Sequence, residues 1–113
     1  MKNVKRGEIY YADLNPAYGS EQGGMRPVIV VQNDVGNSYS PTTIVAVLTS
    51  KAKKQLPTHI EIPSGEGNLA MDSTVLLEQL KTIDKSRLRR FVGRLDRRKM
   101  NEINRAMLVS LGL

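Results

Sequence analysis

The segment richest in chemistry runs Gly19-Ser20-Glu21-Gln22-Gly23-Gly24-Met25-Arg26-Pro27-Val28-Ile29-Val30-Val31. A polar, glycine-bearing loop ends in Arg26, and Pro27 then opens an apolar run with β character. That placement anchors a guanidinium at the rim of a rigid strand, where its paired N–H donors match two oxygens of a phosphate. A structural salt bridge is the competing use of the same side chain. The other familiar chemistries are missing. The chain has no P-loop, no dinucleotide-binding glycine fingerprint, no His-Glu-x-x-His and no Asp/Glu cluster with metal spacing. Without cysteine there is no thiolate nucleophile, disulfide framework or zinc-finger ligand set. The single histidine, His59, excludes a two-histidine metal site, and between Thr58 and Ile60 it reads as a half-buried strand residue.

The formal net charge is +6 over 113 residues, and it is unevenly spread. Lys81 to Arg105 holds ten basic and three acidic residues, a charge of +7, and the rest of the chain carries −1. A block of that kind either attracts a polyanion, nucleic acid or an acidic protein segment, or serves as a solvated face.

The positioning elements follow from pattern. The length suits one domain over residues 1–113. Strands are expected at Gly7–Leu14, Val28–Gln32, Thr42–Thr49, His59–Ile62 and Ser73–Gln79, from β-forming composition and alternation. Asn33 to Pro41 and Pro63 to Asn68 read as turn-forming loops, and Lys51 to Pro57 as a short basic loop. Asp84 is placed to cap a helical turn through Leu88. A sixth strand follows, with Phe91, Gly93 and Leu95 on one face and Arg90, Val92 and Arg94 on a basic face. Asp96 then caps a closing helix whose apolar stripe is Met100, Ile103, Met107 and Leu111, ended by Gly112. The sum is a mainly β fold with a C-terminal helix (α+β), a small, partly open barrel. Val28–Val31 and Ile44–Leu48, the longest apolar runs, are too short to cross a bilayer, and the polar start leads into no signal region; a soluble, cytoplasmic protein is expected.

The glycine-bearing segment, together with Val45-Ala46-Val47-Leu48-Thr49-Ser50, Pro57-Thr58-His59-Ile60-Glu61-Ile62, Val75-Leu76-Leu77-Glu78-Gln79 and Thr82-Ile83-Asp84, resembles the MazF/PemK toxins of bacterial toxin–antitoxin modules. The likeness extends from about Val4 to Leu111 and is nearest to MazF-type members of Gram-positive bacteria. It implies an SH3-like barrel of the MazF/PemK/CcdB kind, usually a homodimer. It also implies metal-independent, cofactor-free cleavage of single-stranded RNA at short sequence motifs, leaving 2′,3′-cyclic phosphate and 5′-hydroxyl ends. By the same resemblance Arg26 and Thr49 match catalytic positions, and Glu21 matches a position used in catalysis or substrate binding.

The chemistry is consistent with those assignments. A guanidinium suits phosphorane charge and is a poor base, which gives Arg26 the clamp and leaves Glu21 as the better proton acceptor. RNA contacts are expected from Tyr18 by stacking, from Ser20, Gln22, Asn33 and Gln79 on base edges, and from Lys51, Lys53 and Lys54 on phosphates. Glu78 either reads base amino groups or closes its strand. A disordered acidic antitoxin is the implied protein partner, suited to the +7 block. Two other readings are a gyrase-binding toxin of the same superfamily and a noncatalytic nucleic-acid-binding barrel; neither needs Arg26 paired with Thr49.

Overall fold

The structure, a computed structural model, describes residues 3–51 and 55–113. Six strands form one antiparallel sheet: β1 (Glu8–Asp13), β2 (Met25–Val30), β3 (Thr42–Thr49), β4 (His59–Ile62), β5 (Ser73–Asp84) and β6 (Leu88–Arg94). Their spatial order is β4-β5-β3-β2-β1-β6, so β4 and β6 remain edges and the sheet stays open. The unbroken apolar runs of β2 and β3 are explained by burial on both faces. Ile29, Ala46 and Leu48 pack with Ile9, Val75 and Leu77 beneath Met100, Ile103 and Ala106 of the C-terminal helix α2 (Arg97–Leu111). Val28, Val30, Val45 and Val47 join Tyr10, Ala12, Leu14, Ile83 and Leu88 in a second cluster. The expected mainly β architecture with a C-terminal helix is what the chain adopts. Among the described residues no helix is long and apolar enough to cross a membrane.

Five local expectations need correcting, the first being β2, which spans Met25–Val30 and not Val28–Gln32. Residues Asn33 to Pro41 are not only a loop: Asp34–Tyr39 is a short helix, α1. The Asn33 side chain caps it by accepting from the Gly36 N–H (2.7 Å), so the turn-forming residues that suggested a loop serve to start a helix. β5 does not stop at Gln79. Ala46 of β3 pairs with Leu80, but the next residue, Val47, pairs with Leu76, so Leu77, Glu78 and Gln79 form a bulge and the strand resumes to Asp84.

β6 carries two shifts against β1, and alternation fails there. Phe91 is half exposed, edge-on to Tyr10 at 5.5 Å, while Val92 turns inward onto the first cluster. The apolar stripe of α2 also stops earlier than expected. Leu111 is exposed, and Ala106 takes the inner position beside Ile103. The helix ends themselves follow the sequence. Asp96 accepts from the Lys99 N–H (2.9 Å), Gly112 closes α2 with φ of 70°, and Asp84 caps the single turn Lys85–Arg87 by accepting from Ser86 N–H.

Candidate active site

Arg26 sits at the start of β2 and Thr49 at the end of β3. The two strands pair Val28 with Val47 in antiparallel register, and extending that register by two places sets Arg26 opposite Thr49. Opposed residues direct their side chains to the same face. Both line one open hollow of about 470 Å3, with Tyr11, Gly23, Gly24, Leu48, Ser50, Met71 and Ser73 among its walls. Consecutive residues of both strands contribute, which places the hollow over the strand ends, where side chains of either face can reach it. The Arg26 Nε–H donates to the Gly23 carbonyl (2.8 Å), fixing the plane of the guanidinium. Thr49 is buried, and its Oγ1 accepts from the Lys51 N–H (3.2 Å). With one lone pair engaged by that N–H, the hydroxyl keeps its own proton to donate elsewhere.

Glu21 is not at this hollow. It lines a second one, also about 470 Å3, with Tyr18, Ser20, Glu78, Gln79 and Lys81, and its carboxylate lies 3.3 Å from the Lys81 ammonium. The β5 bulge builds this second site, since Glu78 and Gln79 fall within the residues that leave the ladder. Gln79 then fastens the glycine-bearing loop: its Oε1 accepts from Gln22 N–H (3.0 Å) and its Nε2 donates to Ser20 O (3.3 Å). Tyr18, at the edge, is 73% exposed and offers an open ring face.

Glu78 is held in turn by Thr58 Oγ1 (2.8 Å) and His59 Nε2 (3.0 Å). His59 Nδ1 accepts from Leu56 N–H (3.4 Å), so the ring proton belongs on Nε2, the atom facing Glu78. Burial acts to raise the Glu78 pKa. The hydrogen bonds from His59, its own backbone and Thr58 outweigh it and keep the carboxyl below the usual range.

The remaining expected contact residues scatter. Lys51 is exposed beside Thr49. Asn33 lies beyond the far end of β2 from Arg26, its side-chain oxygen occupied in capping α1, and neither hollow includes it. Lys53 and Lys54 lie outside the described residues. Two site residues escaped the sequence reading. Tyr11 appeared only as a β-former in its strand; its place opposite Pro27 in the β1–β2 register puts it at the Arg26 hollow. Lys81 was one of ten cations in the basic block, and only the fold singles it out as the partner of Glu21.

Among the described residues no group of three or more His, Cys, Asp or Glu side chains is arranged to hold a metal ion.

The profile of the PemK-like, MazF-like toxins of type II toxin–antitoxin systems matches residues 5–111. An endoribonuclease MazF of Staphylococcus saprophyticus is 51% identical over 111 residues, covering 97% of this chain and 92% of that protein. The endoribonuclease EndoA of Bacillus subtilis is also 51% identical, covering 97% of this chain and 96% of its own. In three dimensions the crystal structure of MazF from Deinococcus radiodurans superposes with a TM-score of 0.86 at 23% identity, with both chains fully covered. An open six-stranded sheet with a C-terminal helix, and sequence similarity running almost from end to end, make this chain a member of the PemK-like, MazF-like toxin family.

Proposed function

We propose that the chain is a metal-independent endoribonuclease toxin, cutting single-stranded RNA by attack of a ribose 2′-hydroxyl on the adjacent phosphate. The observation that carries this reading is the convergence of Arg26 and Thr49 on one open hollow at neighbouring strand ends. The substrate brings its own nucleophile. The 2′ oxygen bonds to phosphorus, the bond to the 5′ oxygen breaks, and the products are a 2′,3′-cyclic phosphate and a 5′-hydroxyl. The protein must align the attack, hold the added phosphorane charge, take one proton and return one.

Arg26 holds the charge. Its Nε is tied to Gly23, and the terminal amino groups grip the non-bridging oxygens. Thr49 adds one hydroxyl donor. Glu21 is the proposed proton acceptor, because a carboxylate can accept a proton at neutral pH and a guanidinium cannot. Its support is chemical, since its position is in the second hollow, paired with Lys81. That second hollow suits substrate reading: Tyr18 stacks a base, Ser20 and Gln79 present polar groups with Gln22 in the loop that Gln79 fastens, and the oriented Glu78 carboxylate accepts from base amino groups. Lys51 contacts backbone phosphate.

The family's place in toxin–antitoxin systems supports an acidic antitoxin as the protein partner, a homodimer as the assembled form and the cytoplasm as the site of action, with residues 1–113 acting as one domain.

The test is incubation of purified protein with end-labelled RNA in EDTA. Cleavage proceeds without metal, a substrate with 2′-deoxyribose at the scissile nucleotide resists, and Arg26→Ala abolishes the reaction. Undiminished cutting of the deoxy substrate removes the cyclising mechanism, and intact RNA at all protein concentrations removes the nuclease.

A further inference from the structure

The Arg26 hollow does not end at β2. Its wall on the β1 side is Tyr11, and the guanidinium of Arg90 from β6 lies over the Tyr11 ring, 5.0 Å from its centroid. A bulge produces this arrangement. Tyr10 pairs with Phe91 and Ala12 with Leu88, so Tyr11 alone stands opposite two consecutive residues, Arg89 and Arg90. Bulges re-aim side chains, and they recur beside active sites. Arg89 lies 4.0 Å from the Asp13 carboxylate, whereas among the described residues no carboxylate lies within that distance of Arg90, which is exposed. An arginine held over an aromatic ring keeps its charge and N–H groups open to an anion, and a planar guanidinium also accepts a stacked base.

We propose that Tyr11 and Arg90 form a nucleotide-binding platform that extends the Arg26 hollow across β1 to β6 and holds a nucleotide flanking the scissile phosphate. The ligand is single-stranded RNA backbone and base, and the inference rests on the nuclease reading above. The stacked pair supplies a face for the base and one cation for its phosphate.

The test first locates the cut position from the 5′ ends of fragments of a long mixed-sequence RNA. Fluorescein-labelled oligonucleotides are then made, 2′-deoxy at the scissile nucleotide. One just spans the cut motif, and others are lengthened on the 5′ or the 3′ side. Binding is read by anisotropy for wild type, Arg90→Ala and Arg90→Lys, and circular dichroism melts of each protein verify folding.

Arg90→Ala weakens one lengthened oligonucleotide about tenfold, in the range found for loss of base stacking, and leaves the short one unchanged. The slope of log affinity against log salt falls by about 0.7, the value for one phosphate contact on a single strand. Arg90→Lys restores the slope and not the full affinity, because the ammonium keeps the charge and loses the planar stack. Equal binding of all oligonucleotides by wild type and Arg90→Ala overturns the platform. So does an Arg90→Ala effect confined to a glutamate-rich peptide, which would give the surface to an acidic protein. If wild type cuts no RNA, the nuclease reading fails separately. The anisotropy comparison then uses the uncut mixed-sequence RNA, where weaker binding by Arg90→Ala supports the platform and equal binding by wild type and Arg90→Ala overturns it.

Discussion

Replacing Arg26 with alanine separates the chemistry from the fold, because the structure assigns the side chain very different weights in each. Among the described residues its one side-chain hydrogen bond is the Nε donation to Gly23 O, made by a half-buried group. Losing a hydrogen bond of that kind costs about 1 kcal/mol, which in a domain of this size lowers Tm by only about 4 °C. In the proposed reaction the same group faces the developing phosphorane charge. Removing one such preorganised donor elsewhere costs about 2.7–4 kcal/mol of transition-state stabilisation, or 10²–10³ in rate. Arg26→Ala is therefore expected to fold almost as wild type while losing at least about a hundredfold in kcat/KM. Arg26→Lys should recover part of that rate, having the charge without the fork. Initial rates on a fluorophore–quencher RNA and urea unfolding of the same preparations give the two numbers. A variant cutting within about threefold of wild type, under 1 kcal/mol of lost stabilisation, would refute the clamp. A rate loss matched by a collapse of the urea midpoint would show that Arg26 serves the fold instead.

Glu21→Gln is expected to lower kcat at least a hundredfold with KM little changed, as for a lost general base at about 10²–10⁴; a change confined to KM moves Glu21 to substrate contact. Gly93→Ala should destabilise by at least about 1–3 kcal/mol, because its Cβ would stand 2.3 Å from the Gly67 carbonyl oxygen, and backbone cannot swing aside. An unchanged thermal midpoint contradicts that packing. Glu78, with its pKa lowered, adds stability that is present above the ordinary carboxylate range and is lost as pH falls through the lowered value. His59→Phe should remove one of the hydrogen bonds responsible and start the acid loss of stability at a higher pH; urea midpoints between about pH 2 and 6 bracket the carboxylate range and check this. Coincident acid limbs for variant and wild type would show that His59 does not hold the carboxylate.

How far the fold was legible depended on whether hydrogen-bond register stayed regular. β3 and β4 were readable to the residue, because every residue of Thr42–Thr49 finds a partner, the extra residues of the register shift lying on β5, and His59–Ile62 pairs in unbroken register. Helix ends were readable for a local reason: Asp96, Asp84 and Gly112 act on backbone groups within a few positions of themselves. Bulges left no comparable mark. Leu77-Glu78-Gln79 looks like more of the same strand, and only the competing pairings of β5 with two stretches of β3 force it out of the ladder. The candidate site shows the same division. Arg26 was visible from the loop that precedes it and Thr49 from the family resemblance, whereas the separation of Glu21 into another hollow is a product of tertiary pairing.

The basic block shows why a charge run is a poor map of a binding surface. Lys81 faces Glu21 at 3.3 Å, Arg94 reaches the buried Glu8 at 3.2 Å, and Lys99 lies 3.5 Å from Glu102. Lys85 is itself buried, donating to the Asn37 carbonyl, and Arg87 donates to the carbonyls of Asp13 and Asn15. With Arg89 4.0 Å from Asp13, six of the ten cations thus engage acceptors of the protein itself. Their attraction for an outside polyanion is offset by the acceptors they already hold. A carboxylate at hydrogen-bond distance cancels most of a cation's field beyond a Debye length of about 8–10 Å. Arg90 differs because it rests on a ring, and an aromatic face holds a cation without neutralising it. A net +7 therefore acts at a few points, and the one at Arg90 stands over Tyr11, a wall of the Arg26 hollow.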